Sequence, residues 1–418
     1  MKTCTSKAIA IRIAAICAVV VLSSAFDWKP KPTPQLKADL VEYARKVGET
    51  KFADRIEKTT STAEWMRAAI KRGSELLKES EGADFNDKRR EHGLRIIDYP
   101  LHVNNSFDKK ATEEDKAAFK EVIGEYCRAA RDRVFKEVAA AKVPNGSLRL
   151  WRIYNMGFII KGPKHTIAID ITNRPLFYGM PGKPFASDTE HVVWSKEDCK
   201  RLAGLADMIF VTHPHGDHYF RDCIEAFIAA GKPVVLPCDL VEYVSVPPKE
   251  KKGRWSMATN SFTTASCCVK LTKDNAEPVD VKGVKVRNFH GDQGKDIPCN
   301  VYLIEIDGMR VAHNGDNYDR SKEAKLAKCP PADVIIASTW NNIQSMVRNC
   351  SAAPGFDVKK TVLIPAHENE LNHRVQQRES YWEMYTRKDR LGDRKFPWPR
   401  VHPLGYGENL TVKAQYRK

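Results

Sequence analysis

The 418-residue sequence predicts a layered α/β domain preceded by a helical N-terminal region. Up to about residue 142 the apolar residues recur every three or four positions, as in amphipathic helices. At Pro144-Asn145-Gly146 the pattern changes to short alternating or continuous apolar runs, which are typical of strands. Strands then alternate with helices, as over residues 207–236. Alternation of this kind indicates a sheet covered by helices.

Two capping boxes begin the clearest helices of the N-terminal region. Ser61 to Glu64 starts a helix that runs to about Lys78, and a second starts at Thr112 and runs toward Ala141. Between them we expect residues 93–105 to be irregular. His92 and His102 lack spaced partners, so we interpret both as structural or solvated rather than as ligands. The role of segment 35–142 stays open between capping a pocket, docking a partner and forming a dimer.

The part of the chain after residue 144 predicts a series of strands separated by turns and helices. The predicted strands are 148–154, 156–161, 165–170, 207–210, 234–236, 284–290, 300–306, 309–312, 334–337 and 361–367. Helices are expected after Ser195, over residues 220–230, and from Glu368 to about Asp389.

Residues 1–25 have the pattern of a secretory signal peptide. Lys2, Lys7 and Arg12 precede an apolar run from Ile13 to Leu22, and a small-residue cleavage site follows. We therefore expect a secreted or periplasmic protein, associated with a membrane only if this segment stays uncleaved. A helical region at residues 26–143 and a main domain at residues 144–418 would follow it.

Charge and cysteine content narrow the class of partner. The formal net charge of +15 indicates an anionic partner, such as phosphate groups, nucleic acid or a membrane surface, and we expect a small-molecule substrate that can be anionic. No dense basic run is interleaved with aromatic residues, so we expect no nucleic-acid partner. Eleven cysteines, two of them before residue 26, leave an odd number with no C-x-x-C pair. That count indicates neither a zinc ribbon nor a regular disulfide framework, and the pairing stays open.

The strongest chemical signal is a cluster of histidines directly after the strand at 207–210. His213 and His215 are two residues apart, so their side chains leave the same face of an extended chain. Gly216 permits a turn, and Asp217 and His218 then lie toward a second position. Imidazole and carboxylate groups are the ligands that Zn²⁺ and similar ions prefer, so we interpret this stretch as a metal-binding turn rather than a surface turn.

Further metal-ligand types stand at the ends of other predicted strands. His290, Asp316 and His367 each end or follow a strand, and Asp170 ends the strand at 165–170. A carboxylate in the position of Asp170 is either solvated or braces a ligand histidine.

These residues resemble the motifs of the metallo-β-lactamase superfamily of hydrolases, in the superfamily's order. The matching motifs are Asp170, His213-x-His215-x-Asp217-His218, His290, Asp316 and His367, and the resemblance covers about residues 148–385. Within the superfamily, the strands around Trp151 to Asp170 are most similar to the ascorbate-phosphate lactonase branch. The phospholipase that cleaves N-acyl-phosphatidylethanolamine is another similar protein.

The resemblance implies a four-layer αββα sandwich that binds two divalent metal ions, zinc first, with manganese or iron as alternatives. It implies that His213, His215 and His290 bind one ion, while Asp217, His218 and His367 bind the other. It gives Asp316 the bridging position and Asp170 a bracing one. A hydroxide shared by two ions would be the nucleophile at neutral pH. Asp217 and Asp316 are thus the expected catalytic carboxylates, with Asp217 also a proton shuttle.

We therefore predict a secreted, metal-dependent hydrolase of a lactone, ester or phosphodiester. The alternatives are a metallo-nuclease, an iron-dependent redox enzyme of the same fold, and a catalytically silent binding protein braced by metal. The predicted pocket residues are Tyr178, Trp340, Glu368, Asn369 and His373. The loops 172–190, 243–266 and 291–299 carry no recognisable code, so the substrate stays open, as does the oligomeric state.

Overall fold

The computed structural model of this protein describes most of the chain in ten separate stretches. These are residues 31–104, 111–172, 194–240, 261–294, 297–340, 343–371, 375, 378–387, 391 and 398–416. The expected signal peptide, Tyr178 and His373 lie outside the described residues, as do most of loops 172–190 and 243–266. Within the described stretches, no helix is long and apolar enough to cross a membrane.

The helical region contains five described helices, two of which begin at a side-chain cap. The capping box predicted at Ser61 is wrong, because the Ser61 side chain makes no capping hydrogen bond. Thr112 and Asp115 form a complete capping box, and the Asp87 side chain accepts the backbone N–H groups of Arg89 and Arg90. The helices are α1 (Thr33–Lys46), α2 (Thr50–Lys58), α3 (Thr62–Glu79), α4 (Lys88–Leu101) and α5 (Glu113–Ala140).

The expectation of irregular structure over residues 93–105 is wrong, because α4 runs to Leu101. Gly93 lies where α4 crosses α3 beside Gly73, and the absence of both Cβ atoms lets the two backbones approach closely. A Cβ on Gly73 would meet Ile97 Cγ1 at 2.5 Å and the Gly93 carbonyl oxygen at 2.7 Å. The glycine that weakens the local helix signal is therefore a packing requirement between two helices.

Two sheets follow the helical region in the part of the chain that the structure describes. There, seven strands form the first sheet, in the order β13-β1-β2-β3-β4-β5-β6, and six form the second, in the order β12-β11-β10-β9-β8-β7. The first sheet contains β1 (Ser147–Tyr154), β2 (Gly157–Lys161), β3 (Thr166–Ile169), β4 (Met208–Phe210), β5 (Val234–Leu236), β6 (Cys268–Lys270) and β13 (Asn409–Lys413). The second contains β7 (Asn275–Val281), β8 (Val284–Asp292), β9 (Pro298–Ile306), β10 (Met309–His313), β11 (Val334–Ser338) and β12 (Val362–Ala366).

The sheets pack face to face through one apolar cluster, in which Phe158 and Phe210 of the first sheet join Val286, Ile304 and Ile336 of the second. Helices cover the outer faces: α5 and α7 (Arg221–Ala229) pack on the first sheet, and α8 (Arg320–Glu323) and α9 (Ile343–Ser351) on the second. Helix α6 (Lys196–Leu205) packs beside α7, and a 3-10 helix follows α8 at Ala324–Lys328. The expected αββα sandwich with an N-terminal helical extension is confirmed.

The expected helix from Glu368 to about Asp389 is wrong over most of its length. The described part of that segment contains only the short helix α10 (Tyr381–Thr386), which begins at a capping box on Ser380. His367 and Asn369 have positive φ angles of 84° and 58°, which a right-handed helix cannot contain.

Three strands, β6, β7 and β13, were not predicted. All three carry exposed or half-buried residues and lie at sheet edges, where the apolar alternation is weak.

The α3–α4 crossing gives a test of the fold. We predict that Gly73→Ala destabilises the protein by about 1–3 kcal/mol, because its methyl group would overlap Ile97 and a backbone carbonyl. Gly204→Ala on α6 is the matched control, because a Cβ there would meet no atom within 4 Å. The control should be neutral or stabilising, since alanine favours a helix over glycine. Urea unfolding measures the free energy of unfolding of both variants. Equal values would contradict the close crossing of the two helices.

Candidate metal centre

The metal-binding turn begins at the C-terminal end of β4 and is held by the neighbouring sheet. The Tyr302 hydroxyl of β9 donates to the Val211 carbonyl at 2.9 Å, and the Asn300 backbone N–H donates to the Thr212 carbonyl at 2.8 Å. Gly315 approaches from β10 so closely that a Cβ on it would lie 2.5 Å from Thr212 Oγ1. The turn is therefore fixed by both sheets of the sandwich.

Asp170 follows β3 and is fully buried behind the turn. Its carboxylate accepts the Thr212 N–H at 2.8 Å, the Thr212 hydroxyl at 2.7 Å and the His218 Nδ1–H at 2.8 Å. These bonds fix the His218 ring and assign its Nδ1 the proton, which leaves Nε2 directed toward the other ligand candidates. His313 lies farther away, with Nε2 3.9 Å from Asp170 Oδ2.

The first group of converging side chains contains Asp217, His218, Asp316 and His367. Asp316 Oδ2 lies 3.4 Å from His218 Nε2 and 3.0 Å from His367 Nε2. Asp217 Oδ2 lies 3.2 Å and 3.6 Å from the same two nitrogens. Ligands bound tetrahedrally to one zinc ion are about 3.3 Å apart, given bonds of about 2.0–2.1 Å. The separations therefore fit a single divalent ion.

The second group contains His213, His215 and Asp217, whose candidate ligand atoms lie within 4.8 Å of one another. The His213 and His215 rings are 4.6 Å apart between centroids. Buried Nε2 atoms of His213, His218 and His367 have no hydrogen-bond partner among the described residues, as expected of nitrogens that face a cation. Asp217 belongs to both groups, whereas the resemblance gave the bridging position to Asp316.

His290 is absent from both groups in the described part of the chain. It lies near the end of β8, paired with Asn300 of β9, and its Nδ1 is 2.8 Å from Asn300 Oδ1. That bond makes Nδ1 the donor and leaves Nε2 available. The Asn300 backbone also contacts Thr212, so His290 is connected to the metal-binding turn through one asparagine.

The site holds buried carboxylates beside histidines, an arrangement that favours the binding of a cation. Burial alone would raise the pKa values of Asp217 and Asp316. The neighbouring His218 and His367 have a larger opposite effect, so both pKa values lie far below the usual range of a carboxyl group. The same carboxylates raise the pKa of His218 and His367 despite burial. Burial, with the neighbouring His218 charge, lowers the pKa of His213 to about 4. A metal ion bound among these groups would therefore compete with the protons that the carboxylates favour on His218 and His367.

Several contacts around the ligands were not foreseen from the sequence. Asp316 accepts hydrogen bonds from the Ser338 hydroxyl at 3.1 Å and from Gln293 Nε2 at 3.2 Å. Asn155 Nδ2 lies 3.4 Å from Asp217 Oδ2, and Glu370 Oε2 lies 3.9 Å from His367 Nε2. Polar residues of this kind carry no periodic signal. Only adjacency to a ligand could have indicated Glu370, three residues after His367.

The predicted pocket residues Trp340, Glu368 and Asn369 lie in different surroundings. The Trp340 ring lies 5.8 Å from the His367 ring, and its Nε1–H donates to the hydroxyl of Tyr318, which is 50% exposed. Glu368 and Asn369 are instead directed into the protein, where they are 1% and 0% exposed. Glu368 pairs with Arg152 at 2.9 Å, so neither residue forms a pocket wall.

Comparisons with known proteins show what this chain is similar to. A family model described as a β-lactamase superfamily domain matches residues 153–353. A metal-dependent hydrolase from Pyrococcus abyssi is 26% identical over 193 residues, which cover 44% of this chain and 75% of the relative. One from Staphylococcus epidermidis is 24% identical over 172 residues, covering 39% and 68%. The solved structure of a possible metal-dependent hydrolase from Veillonella parvula matches with 17% identity and a TM-score of 0.42, covering 63% of this chain and 99% of its own.

The resemblance drawn from the motifs is confirmed by the matched model at the level of the superfamily. The matched range includes Asp170, the metal-binding turn, His290 and Asp316, whereas His367 lies beyond it. The place of His367 in the site therefore rests on the distances given above. The prediction of a metal-dependent hydrolase with the metallo-β-lactamase fold is confirmed, while the substrate, the number of ions and the cellular location stay predictions.

The raised pKa values of His218 and His367 predict the direction in which metal affinity changes with pH. Metal affinity should rise with pH between about pH 6 and 8, because binding must displace protons that Asp217 and Asp316 hold on His218 and His367. Calorimetric titration of Zn²⁺ in buffers of different ionisation enthalpy measures the protons released. His367→Ala should reduce that number. An affinity that stays constant over this pH range would contradict the charge arrangement.

Proposed function

Because the domain at residues 153–353 belongs to the metallo-β-lactamase superfamily, we propose that this protein is a dinuclear hydrolase. Its substrate would be a small lactone, ester or phosphodiester. The observation that carries the proposal is the pair of ligand groups that share Asp217. A structural zinc site would be one closed set of four ligands, whereas two adjoining groups are the arrangement used for hydrolysis.

The chain supplies the ligands for two ions. His213, His215 and Asp217 would hold one, and Asp217, His218, Asp316 and His367 would hold the other. When bound, two divalent ions supply a nucleophile from water at neutral pH and polarise the bond that is cleaved. Nitrogen and carboxylate donors at tetrahedral separations favour zinc, and the same donors also accept manganese or iron.

Asp217 is the residue best placed to move a proton. It is the half-buried member of its group, while His218, Asp316 and His367 are buried. Its carboxylate can take the proton released by the attacking water and return it to the leaving oxygen. Asn155, at 3.4 Å, orients that carboxylate. The buried ligands exclude bulk water from the remaining sides of the site.

The mouth of the site favours a substrate with a planar or apolar group. Trp340 lies beside His367, and Tyr318, the large hydrophobic residue most exposed in the described chain, is hydrogen-bonded to it. Two adjoining rings next to the metal ligands form a wall on which a ring or acyl group can pack. The formal charge of +15 adds attraction for an anionic substrate. We also propose that the protein is exported, on the evidence of residues 1–25.

The metal ligands give the first test of the function. Purified wild-type protein should contain close to two divalent ions per chain, and His215→Ala with Asp316→Ala should abolish both metal binding and hydrolysis. His92→Ala is the control, because His92 lies in the helical region against the Tyr43 ring and outside both groups. Elemental analysis decides the metal content. Wild-type protein that binds no stoichiometric metal would refute the proposal.

The substrate class is tested with a panel of lactones, carboxylic esters and bis-aryl phosphodiesters. We expect turnover of at least one class, with aryl substituents lowering KM. Trp340→Ala should raise KM about tenfold for aryl substrates and leave kcat nearly unchanged, because the ring contacts a part of the substrate that does not react. Turnover of β-lactams alone would contradict the proposed substrate class.

A further inference from the structure

The helical region reaches the metal centre through one buried carboxylate, that of Asp98 on α4. Asp98 is 0% exposed, and Asn369 Nδ2 donates to its Oδ1 at 2.8 Å. The backbone N–H groups of Tyr381 and Trp382 donate to the same carboxylate at 3.1 Å and 2.6 Å. Asp98 therefore ties together both ends of the segment that follows His367.

The backbone of that segment needs such support. His367 has a φ angle of 84° and Asn369 one of 58°, in the left-handed region that side chains other than glycine seldom occupy. Conformations of this kind persist only where surrounding contacts determine them. The Asn369 N–H also donates to the Glu379 carbonyl at 2.6 Å, which closes the loop on itself.

The β domain supplies the other contacts to the same loop. Arg152 pairs with Glu368 at 2.9 Å, and the Tyr154 hydroxyl accepts the Leu371 N–H at 2.7 Å. The Tyr406 hydroxyl lies 2.8 Å from the Asn369 carbonyl and 3.1 Å from that of Glu368. All of these bonds reach the loop from the sandwich. Asp98 is the side chain by which the helical region holds Asn369, two residues from the ligand.

The hydrogen bonds of Asp98 do more than cap the N-terminus of α10. Ser380 already caps α10, because its side chain accepts the Glu383 N–H at 3.0 Å. Asp98 adds a bond to a side chain outside the helix, and it does so as a carboxylate without contact to water. Burying such a group is unfavourable unless its bonds to the protein replace those to water. The bond to Asn369 is the part that acts on the His367 backbone.

We propose that Asp98, through Asn369, positions His367 to bind metal, so that the helical region completes the metal centre. The inference rests on the proposed dinuclear function. It gives residues 35–142 a role in supporting the metal centre, which differs from the three roles left open by the sequence. Asp98 is a positioning residue in this account, because it reaches the ligand only through Asn369.

The test compares metal affinity in full-length variants. Asp98→Ala should weaken the site formed by Asp217, His218, Asp316 and His367 by about 10–100-fold, the usual effect of losing a residue that orients a ligand. The site at His213 and His215 should keep its affinity. Competition with a chromogenic chelator measures both constants, and the visible spectrum of the Co²⁺-loaded protein reports the geometry of the weakened site.

Two further variants separate positioning from general destabilisation. Asp115→Ala removes the buried carboxylate that accepts the Thr112 N–H in the capping box of the same helical region, far from the loop in sequence, and should lower Tm without changing either metal affinity. Asn369→Gly tolerates the φ angle of 58° and removes only the side-chain bond. It should reproduce the loss seen in Asp98→Ala, and the double variant should lose no more than either alone.

The outcomes are distinguishable. Wild-type affinity at both sites in a folded Asp98→Ala variant would overturn the inference, and so would an equal loss in Asp115→Ala. If Asp98→Ala does not fold, the metal affinity of Asn369→Gly tests the inference instead. An affinity equal to that of the wild type would overturn it. Wild-type protein that binds no metal would instead refute the proposed function itself.

Discussion

The structure depends on the burial of one carboxylate, Asp170, at the end of β3. A fully buried carboxylate is unfavourable unless it is hydrogen-bonded, and Asp170 accepts three bonds from Thr212 and His218. Those bonds hold the metal-binding turn against the sheet and direct His218 Nε2 toward Asp217 and Asp316. The φ angle of Asp170 is 49°, so the strand ends there in a left-handed residue. Fold and ligand geometry are thus set by the same interaction.

Asp316 and His367 come from strand ends far along the chain, and each is oriented by neighbours. Ser338 donates to Asp316, while buried side chains from three parts of the molecule hold the His367 loop. A metal site with ligands on separate elements needs such support, because small displacements change the coordination geometry. The helical region belongs to this support through Asp98, which makes it a part of the centre rather than an appendage.

The sequence predicted the ligand turn and most of the strands because both depend on local patterns. The His213-x-His215 spacing follows from the two-residue repeat of extended chain, and buried strands such as Val334–Ser338 are continuous apolar runs. It could not predict the bond between Asp98 and Asn369, whose partners are 271 residues apart and have no local signature. It also misjudged α4, since Gly93 reads as a helix breaker until its contact with Gly73 is known. The edge strand β7 was missed because much of it is exposed.

The central claim is that two ions bind in two adjoining groups that share Asp217. Crystals of the full chain grown with zinc, with anomalous diffraction measured at the zinc edge, test it most directly. We predict two peaks, one within coordination distance of His213, His215 and Asp217, and one among Asp217, His218, Asp316 and His367. A single peak bound by one group, or no peak at these residues, would contradict the account.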